Sequence, residues 1–415
     1  MNQVERPLEP SLERLARAVE KWVAGGDPGG LSRWLARELD QDGVPIRLSP
    51  GDWPDALELL ARARSSGGWP PGCGEAIDAM VTSALRFSRP DGRVVLSGGE
   101  AWGWSSSGWR DWYRGTAIGR VLGWWSGNKG RNEGVIPPPL PTWSADRRAL
   151  AILRPNWLPE GDLLAVDHVA AARVCRLELV GGGRTWLAGN WEAGAIGGAG
   201  PSTSTRPRLL RRIHTSAADL VEWSHRDGPA RVTRSVLLLR GRAMAVIAVM
   251  VDGGGASMKI ETPADLTTAL IRGTRALGLA SRPRRGSAQA IPMALPCRDY
   301  ETDRGTVRGR EGSIELTATA GGRRNWLPLL VSWDAERNRK PPEWRILTIS
   351  EKSKRIGADR AFAVRMSWGP EETFVIYRSL GPPARRTFLG HQTSASFLFA
   401  AFNQDGDLTP ILSVD

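Results

Sequence analysis

After residue 144 the sequence consists of short apolar runs separated by turn residues, and this pattern restricts the possible folds more than any other feature. There are about fourteen such runs, and many of them alternate apolar and polar residues as half-buried strands do. Examples are VCRLELV (174–180), RTWLAGNW (184–191) and RAMAVIAVMVDG (242–253). Because no long helical segment separates the runs, they predict antiparallel strands in a large two-sheet β-sandwich.

The first third of the chain has the period of amphipathic helices instead. A Pro-rich stretch, VIPPPLPTW (135–143), follows it and fits neither a helix nor a central strand. We therefore predict a helical region over 1–134, a linker over 135–143 and a sandwich over 144–415. The expected fold class is α+β, with a short N-terminal helical region packed on the sandwich. The predicted helical segments are SLERLARAVEKWVA (11–24), LSRWLARELD (31–40), DWPDALELLARAR (52–64), GEAIDAMVTSALRFS (74–88) and GWRDWYRGTAIGRVLGWW (108–125).

The chain is basic, with a formal net charge of +12, and only six of its 56 basic residues are lysine. Arginine binds carboxylate, sulfate and phosphate groups through its planar fork, although arginine content also rises with genome base composition. The arginines are spread along the chain, so we do not expect a nucleic-acid partner. No apolar run reaches the roughly 20 residues of a membrane span, and the first residues do not form a secretory signal. We therefore expect a cytoplasmic protein without a membrane partner, and the sequence leaves the oligomeric state open.

Three stretches of the chain are similar to segments of one known protein family. LRFSRPDGRVVLSGGE (85–100) is similar to the end of the family's helical toroid, and SADRRALAILRPNWLPEGDLLAVDH (144–168) is similar to the opening of its β domain. RRIHTSAADLVEWSHRDGPARVTRSVLLLRGRAMAVIAVMVDG (211–253) is similar to its central hairpins. Through these stretches the chain resembles the heparinase II/III-like polysaccharide lyases. The resemblance implies a polysaccharide lyase fold and an acidic polysaccharide as the partner.

The chain departs from this family where some of its members bind zinc. Ala171, Ala172 and Arg173 stand where the family has a histidine and an aspartate, and only the family's third element persists, as His214 followed by a threonine. A closed zinc site needs about four donors. We therefore expect neither a metal ion nor another cofactor, and His168 does not match a family ligand.

The resemblance also implies the chemistry of a lyase, which removes a proton beside a uronate carboxylate and then eliminates the glycosidic oxygen. Such a reaction needs a base of lowered pKa and a cation that neutralises the carboxylate. The candidate bases are Tyr113 and His214. Tyr113 lies beside Arg110 and Arg114, whose guanidinium groups would lower the pKa of a phenol. Packing of Tyr113 against other aromatic residues is the alternative.

Candidate residues for binding a glycan are tryptophans and arginines, and the arginines include Arg110 and Arg114 beside the tryptophan loop. Trp102, Trp104 and Trp109 lie in or after a Gly/Ser loop, where they would either stack on sugar rings or pack in the core. Trp191, Trp223 and Trp326 fall in strand-like runs and are expected in the core. Arg208, Arg211 and Arg212 belong to RPRLLRR (206–212), which is either an anion-binding edge or a charged edge strand that prevents aggregation. His225 is expected in a hairpin turn with a structural role.

These observations leave three hypotheses. The first is a heparinase II/III-like protein that binds an acidic glycan and has lost the metal site and possibly catalysis. The second is an active lyase that cleaves uronate-containing glycans by β-elimination. The third is a structural or interaction protein without a glycan ligand. A likeness of fold does not decide among them, because one fold hosts many activities.

Overall fold

The computed structural model describes residues 9–69, 71–97, 109–126, 138–145, 149–168, 175–196, 205–281, 286–298, 305–319, 322–403 and 405–415. The chain divides into two compact units. The helical unit comprises residues 1–145 and 156–161, and the β unit comprises residues 146–155 and 162–415. Within the described ranges, no helix has both the length and the apolar character needed to cross a membrane.

The helical unit is built from amphipathic helices with one apolar face each. In the first helix, Leu12, Leu15 and Val19 recur at helical spacing and are buried. The fifth predicted helix (108–125) is wrong as a single helix, because the structure has two short helices there. The break lies at Gly115, whose φ of 79° is incompatible with an α-helix. The helices are α1 Pro10–Val23, α2 Gly29–Glu38, α3 Trp53–Ser65, α4 Gly74–Arg86, α5 Trp109–Trp112 and α6 Ala117–Trp125, and the strand β1 Trp143–Ser144 also belongs to this unit.

The β unit contains the remaining strands. They are β2 Ala149–Leu153, β3 Leu163–His168, β4 Cys175–Gly181, β5 Arg184–Ala195, β6 Arg208–His214, β7 Ala218–Asp227, β8 Ala230–Leu239, β9 Met244–Asp252, β10 Ala256–Glu261, β11 Leu266–Leu270, β12 Leu277–Ser281, β13 Ser287–Pro292, β14 Gly305–Arg310, β15 Ser313–Ala318, β16 Arg324–Ser332, β17 Glu343–Ile346, β18 Ser350–Glu351, β19 Lys354–Arg355, β20 Ala361–Ser367, β21 Thr373–Ser379, β22 Arg386–Phe388, β23 His391–Thr393, β24 Phe397–Phe402 and β25 Leu408–Val414.

These strands form two large and two smaller antiparallel sheets. The first large sheet runs β2-β3-β4-β5-β10-β15-β14, and the second runs β11-β12-β13-β16-β9-β8-β7-β6. A five-stranded sheet has the order β17-β20-β21-β24-β25, and a four-stranded sheet has the order β19-β18-β22-β23. The expected α+β class with an antiparallel sandwich is therefore confirmed, and the two smaller sheets add to the two that were predicted.

The four sheets are stacked in layers, as alternate residues of their strands show. In β9, Ile247 and Val249 pack into the core between the two large sheets, whereas Val246 and Ala248 pack into a second core. The second core also contains β20 and β21 residues of the five-stranded sheet. A third core lies between the five-stranded and four-stranded sheets and includes Tyr377. The second large sheet is thus buried on both faces.

The expected core tryptophans are confirmed. Trp191 and Trp223 belong to the core between the two large sheets, and Trp326 belongs to the second core. A buried ion pair joins the second large sheet to the five-stranded sheet, because the Arg378 guanidinium donates hydrogen bonds of 2.6 and 3.3 Å to the Glu222 carboxylate. Removing one partner of such a pair leaves an uncompensated buried charge.

A glycine at the end of β4 allows a close approach between β4 and Trp333. A Cβ atom on Gly181 would lie 2.3 Å from the Trp333 ring, whereas a Cβ on Gly278 in β12 would have its nearest neighbours at 3.7 Å. We expect Gly181→Ala to lower the free energy of unfolding by about 1–3 kcal/mol, because the ring must move. Gly278→Ala should change it by less than about 1 kcal/mol. Urea unfolding of both variants checks this, and equal effects would contradict the packing described.

Candidate functional site

Tyr113, the first predicted base, lies in the helical unit directly after α5 and is 4% exposed. Its hydroxyl donates a 2.5 Å hydrogen bond to Asp78 Oδ1. Burial and the Asp78 carboxylate raise the pKa of Tyr113 well above its usual range, and the lowering effect of the Arg64 guanidinium is the smallest of the causes. The expectation of a lowered pKa at Tyr113 is therefore wrong, because the effects that raise the pKa outweigh that of the guanidinium.

Two of the predicted binding residues beside Tyr113 are described by the structure, Trp109 and Arg114. Trp109 is fully buried and stacks on the Tyr113 ring, with 6.1 Å between centroids, so its indole belongs to the core. Arg114 is exposed and pairs with Asp111 at 2.8 Å. Trp102, Trp104 and the side chain of Arg110 lie outside the described residues, so their predicted binding role stays a prediction.

His214, the second predicted base, ends β6 and contacts a buried carboxylate. Its Nδ1 lies 3.1 Å from Asp219 Oδ1, and the Arg240 guanidinium donates two further hydrogen bonds to the same carboxylate, at 2.9 and 2.7 Å. Arg240 therefore already supplies the positive charge that balances Asp219. The described donors around His214 do not fit a zinc ion, which needs about four ligands of the His, Cys or carboxylate type.

The three predicted arginines of β6 point in different directions. β6 is an edge strand, as expected for this charged segment, and a register irregularity lies between Leu209 and Arg211. Beyond this irregularity, Arg211 and Arg212 are neighbours and face opposite sides of the strand. Arg211 contacts Glu222 Oε2 at 3.6 Å and Ser396 Oγ at 2.9 Å, whereas Arg208 and Arg212 are exposed.

Arg208 lines a cavity of about 650 Å³ at one end of the second large sheet. We call it the arginine cavity, and it is formed by the beginning of β6, the β7–β8 hairpin and the end of β9. Its described lining consists of Thr205, Arg206, Arg208, Ser224, His225, Arg226, Pro229, Arg231, Asp252, Gly253 and Arg323. The volume is in the range of small-ligand pockets.

The short β7–β8 turn places two guanidinium groups beside each other in this cavity. Residues 227–230 close the hairpin, and the register pairs Arg226 directly with Arg231. Like charges directly opposite on neighbouring strands destabilise a sheet unless a counter-charge is present. Arg231 Nε donates to Ser224 Oγ at 2.9 Å, which is a neutral acceptor. Arg231 also lies directly opposite Asp252 of β9, so Arg226 is the member of the pair that has no carboxylate facing it in the register.

The cavity has few negative charges of its own. Asp252 is the one carboxylate among the described lining residues, and it already binds Arg323 at 3.1 Å and Arg324 at 3.2 Å. The side chains of Arg208 and Arg226 make no hydrogen bond or ion pair with the part of the chain that the structure describes. Both guanidinium groups are exposed and available to an acidic ligand.

A buried histidine forms part of the cavity wall. His225 lies in β7 and is 6% exposed, so the expectation of a hairpin turn is wrong. Burial and the nearby Arg234 lower the pKa of His225 to about 4, against a smaller opposing effect of Asp227. The imidazole is therefore neutral at neutral pH. Its ring packs edge-on against the ring of His168, with 4.9 Å between centroids.

His168 is the last residue of β3, an internal strand of the first large sheet, and its side chain is buried. Arg234 Nη1 lies 2.8 Å from His168 Nε2, and the guanidinium is 5.5 Å from the Trp191 ring centroid. Because a guanidinium can only donate, the Nε2 atom accepts and the imidazole carries its proton on Nδ1. No cluster of three or more possible metal ligands occurs in the described ranges, and residues 169–174 lie outside them.

Sequence reasoning found Arg208 but missed His225, Arg226, Arg231 and Arg323 as a group. The signal for the first three was present in SHRDGPAR (224–231), where a Gly-Pro turn flanked by two arginines predicts a cross-strand pair. Arg323 is distant in sequence, and only the pairing of β9 with β16 brings it to the cavity.

The fold is similar to that of solved structures. Neither a protein-family model nor a curated protein matches the chain. Among solved structures, it is similar to a heparan sulfate lyase from Pedobacter heparinus, with 14% identity and a TM-score of 0.61 over 95% of this chain and 67% of that one. It is also similar to a heparinase III, with 11% identity and a TM-score of 0.63 over 92% of this chain and 65% of that one.

These two similarities define the class of fold. The protein has the fold of the heparinase-like polysaccharide lyases, as the sequence resemblance implies. The chain spans about two thirds of the length of these lyases. At this level of identity the likeness establishes the architecture, and the activity has to be argued from the site itself.

The lowered pKa of His225 predicts a loss of stability in acid. The pKa is about 4 in the folded chain and 6.5 for an ordinary histidine, so the unfolded state binds more protons between these values. Stability should be complete above about pH 6.5 and fall by up to about 3 kcal/mol as the pH drops to 4. His225→Gln should remove most of this dependence.

Urea unfolding at several pH values measures this effect. The control is His391→Gln, which removes an imidazole that lies 2.7 Å from the Gly406 carbonyl in another hairpin. The control should keep the acid loss of the unsubstituted protein. An unchanged pH dependence in His225→Gln would show that His225 is not the group responsible.

Proposed function

We propose that the protein binds an acidic polysaccharide in the arginine cavity, without a metal ion and without cleaving the chain. The observation that carries this proposal is the unbalanced charge of the cavity. Arg208 and Arg226 have no acidic partner in the described residues, and Arg226 lies directly opposite Arg231. A carboxylate or sulfate group placed among them would receive charge-assisted hydrogen bonds from all three.

The cavity suits an anionic sugar better than a compact inorganic ion. Its volume of about 650 Å³ exceeds what a single carboxylate or sulfate group occupies, so a sugar unit can enter with its acidic group. Ser224 and Thr205 add hydroxyl groups to the wall, which can exchange hydrogen bonds with sugar hydroxyls. The similar structures, described as a heparan sulfate lyase and a heparinase III, support an acidic glycan as the ligand class.

The candidate bases favour binding over cleavage. Tyr113 keeps its proton because burial and Asp78 raise its pKa, and a protonated phenol cannot accept a proton from the sugar. His214 ends β6, whereas the arginine cavity lies at the beginning of this strand, so His214 does not line the cavity. Metal-independent binding is proposed because the guanidinium groups of the cavity supply the positive charge themselves.

An active lyase is the second candidate, and the neutral His225 in the wall of the arginine cavity favours it. A neutral imidazole beside guanidinium groups is the combination that proton removal next to a uronate carboxylate requires. A base with a pKa of about 4 is a weak proton acceptor at neutral pH, however, and general bases work best with pKa values near the working pH. Binding without cleavage is therefore the function that we propose.

A structural role without a glycan ligand is the third candidate. Burial of Trp109, Trp191, Trp223 and Trp326 is what this role predicts. It does not explain the paired arginines of the β7–β8 hairpin, whose mutual repulsion is a cost when no anion is present. The binding experiment below distinguishes it from the proposal.

We expect the arginines without partners to dominate glycan binding. Arg208→Gln and Arg226→Gln should each weaken the binding of a heparan sulfate oligosaccharide by about tenfold, since a hydrogen bond to a charged group contributes about 1.5–3 kcal/mol. Isothermal titration calorimetry measures the dissociation constants, and a neutral oligosaccharide of the same length should not bind. Added salt should weaken binding because it screens exposed charges.

The matched control is Arg308→Gln. Arg308 is an exposed arginine of β14 that also has no partner among the described residues, and it lies outside the cavity. Its substitution removes the same charge and should leave the dissociation constant unchanged. Equal losses of affinity in all three variants would show that glycan binding depends only on the net charge of the protein. Absence of glycan binding to the unsubstituted protein would refute the proposal.

The proposal also predicts that no cleavage occurs. Incubation with uronate-containing polysaccharides should produce no increase in the ultraviolet absorbance of unsaturated uronate ends. An increase that Tyr113→Phe or His214→Ala abolishes would establish the lyase instead. An increase that only His225→Gln abolishes would assign proton removal to the arginine cavity.

A further inference from the structure

The core between the two large sheets contains a buried positive charge. Arg234 of β8 is 1% exposed, and its guanidinium lies 5.5 Å from the ring centroid of Trp191, which is fully buried in this core. Arginine keeps its proton in proteins, so the group is a cation. A buried cation is unfavourable unless an opposite charge and hydrogen bonds to all of its donors compensate for the lost water.

The described neighbours of Arg234 do not supply this compensation. Its Nη1 donates to His168 Nε2 at 2.8 Å and its Nη2 donates to the Trp191 carbonyl at 3.4 Å, and both acceptors are neutral. No carboxylate of the described ranges hydrogen-bonds to it. Burial lowers the pKa of Arg234, and the opposing effects of Cys175 and Asp227 are smaller. The Cys175 thiol is neutral, because burial raises its pKa to about 12.

Three buried N–H groups of neighbouring side chains also have no acceptor within the described residues. They are Arg234 Nε, Trp191 Nε1 and Trp223 Nε1. Trp223 lies directly opposite Arg234 in the β7–β8 register, where the Cβ atoms of facing residues are about 5 Å apart. We call these three residues the Arg234 cluster. Since guanidinium and indole nitrogens only donate, the cluster combines a positive charge with an excess of donors.

We propose that the Arg234 cluster binds one small monatomic anion of the halide class, such as chloride. A halide accepts hydrogen bonds from several donors at once and brings the missing negative charge. A water molecule brings no charge, and its own two protons would need acceptors that the cluster does not offer. The three residues are 0–2% exposed, which favours a compact ion over a carboxylate or sulfate group attached to a sugar. The cluster shares no residue with the described lining of the arginine cavity, so the proposal stands independently of glycan binding.

Bromide is the probe that locates the ion. In crystals of the full chain grown in sodium bromide, we expect an anomalous-scattering peak within hydrogen-bond distance of Arg234 Nε and of at least one of the two indole nitrogens. Bromide peaks on the protein surface do not count toward the site. A water molecule at the cluster without an anomalous signal, or the absence of any density there, would overturn the proposal.

Urea unfolding tests whether the ion binds in solution. An ion that binds only the folded chain multiplies the folding equilibrium constant by one plus the ratio of its concentration to the dissociation constant. For a dissociation constant of about 20 mM, exchange of about 200 mM sodium gluconate for sodium chloride should raise the folding constant about tenfold. Gluconate keeps the ionic strength constant and is too large for a buried site. Equal folding constants in the two salts would contradict the proposal.

Variants assign the chloride effect to the cluster. Trp223→Phe keeps an aromatic ring but removes one N–H donor, so the chloride effect should fall at least about threefold, as a lost hydrogen bond to a charged group implies. Trp326→Phe is the matched control, because Trp326 is buried in the second core and should keep the full effect. Arg234→Met removes the buried charge and should abolish the effect. If Arg234→Met does not fold, the two tryptophan variants decide, and an equal chloride effect in both would refute the assignment.

Discussion

Burial of the second large sheet on both faces is the constraint on which the rest of the β unit depends. The strand MAVIAVMVD (244–252) directs alternate side chains into two separate cores, so neither face accepts polar residues along most of its length. Strands buried on both faces are nearly continuous apolar runs. The first large sheet covers one face, and the five-stranded sheet covers the other. The Glu222–Arg378 ion pair lies in the contact between the second large sheet and the five-stranded sheet.

Apart from buried contacts such as the Glu222–Arg378 ion pair, the accessible charged groups of this sheet lie at its ends and its edge. The arginine cavity lies where β7, β8 and β9 end, and the guanidinium groups emerge there because the hairpin register pairs Arg226 with Arg231. The same rigid strands hold His225 at the boundary between cavity and core, where desolvation keeps its imidazole neutral. A site of this kind is suited to holding an anion in one position, because its groups stand on strands with little freedom to move.

The fold class and the long strands could be predicted from the sequence. The stacking of four sheets and most residues of the arginine cavity could not. β8, β9 and β16 are predictable because their apolar runs are long, whereas β18 and β19 have two residues each and no recognisable period. The break after α5 was missed because the apolar spacing continues across Gly115. Tyr113 was misjudged because the Asp78 contact, which raises its pKa, joins residues 35 positions apart. Arg323 reaches the cavity only through long-range strand pairing, which local sequence patterns do not encode.

The most direct test of the account is a crystal structure of the protein with a heparan sulfate oligosaccharide bound. The account predicts a sugar in the arginine cavity, with an acidic group within hydrogen-bond distance of the Arg208 and Arg226 guanidinium groups and an intact glycosidic bond. A sugar bound elsewhere in the chain, with the arginine cavity empty, would contradict the proposed site. A cleaved sugar with an unsaturated end in the cavity would contradict the claim that the protein binds without catalysis.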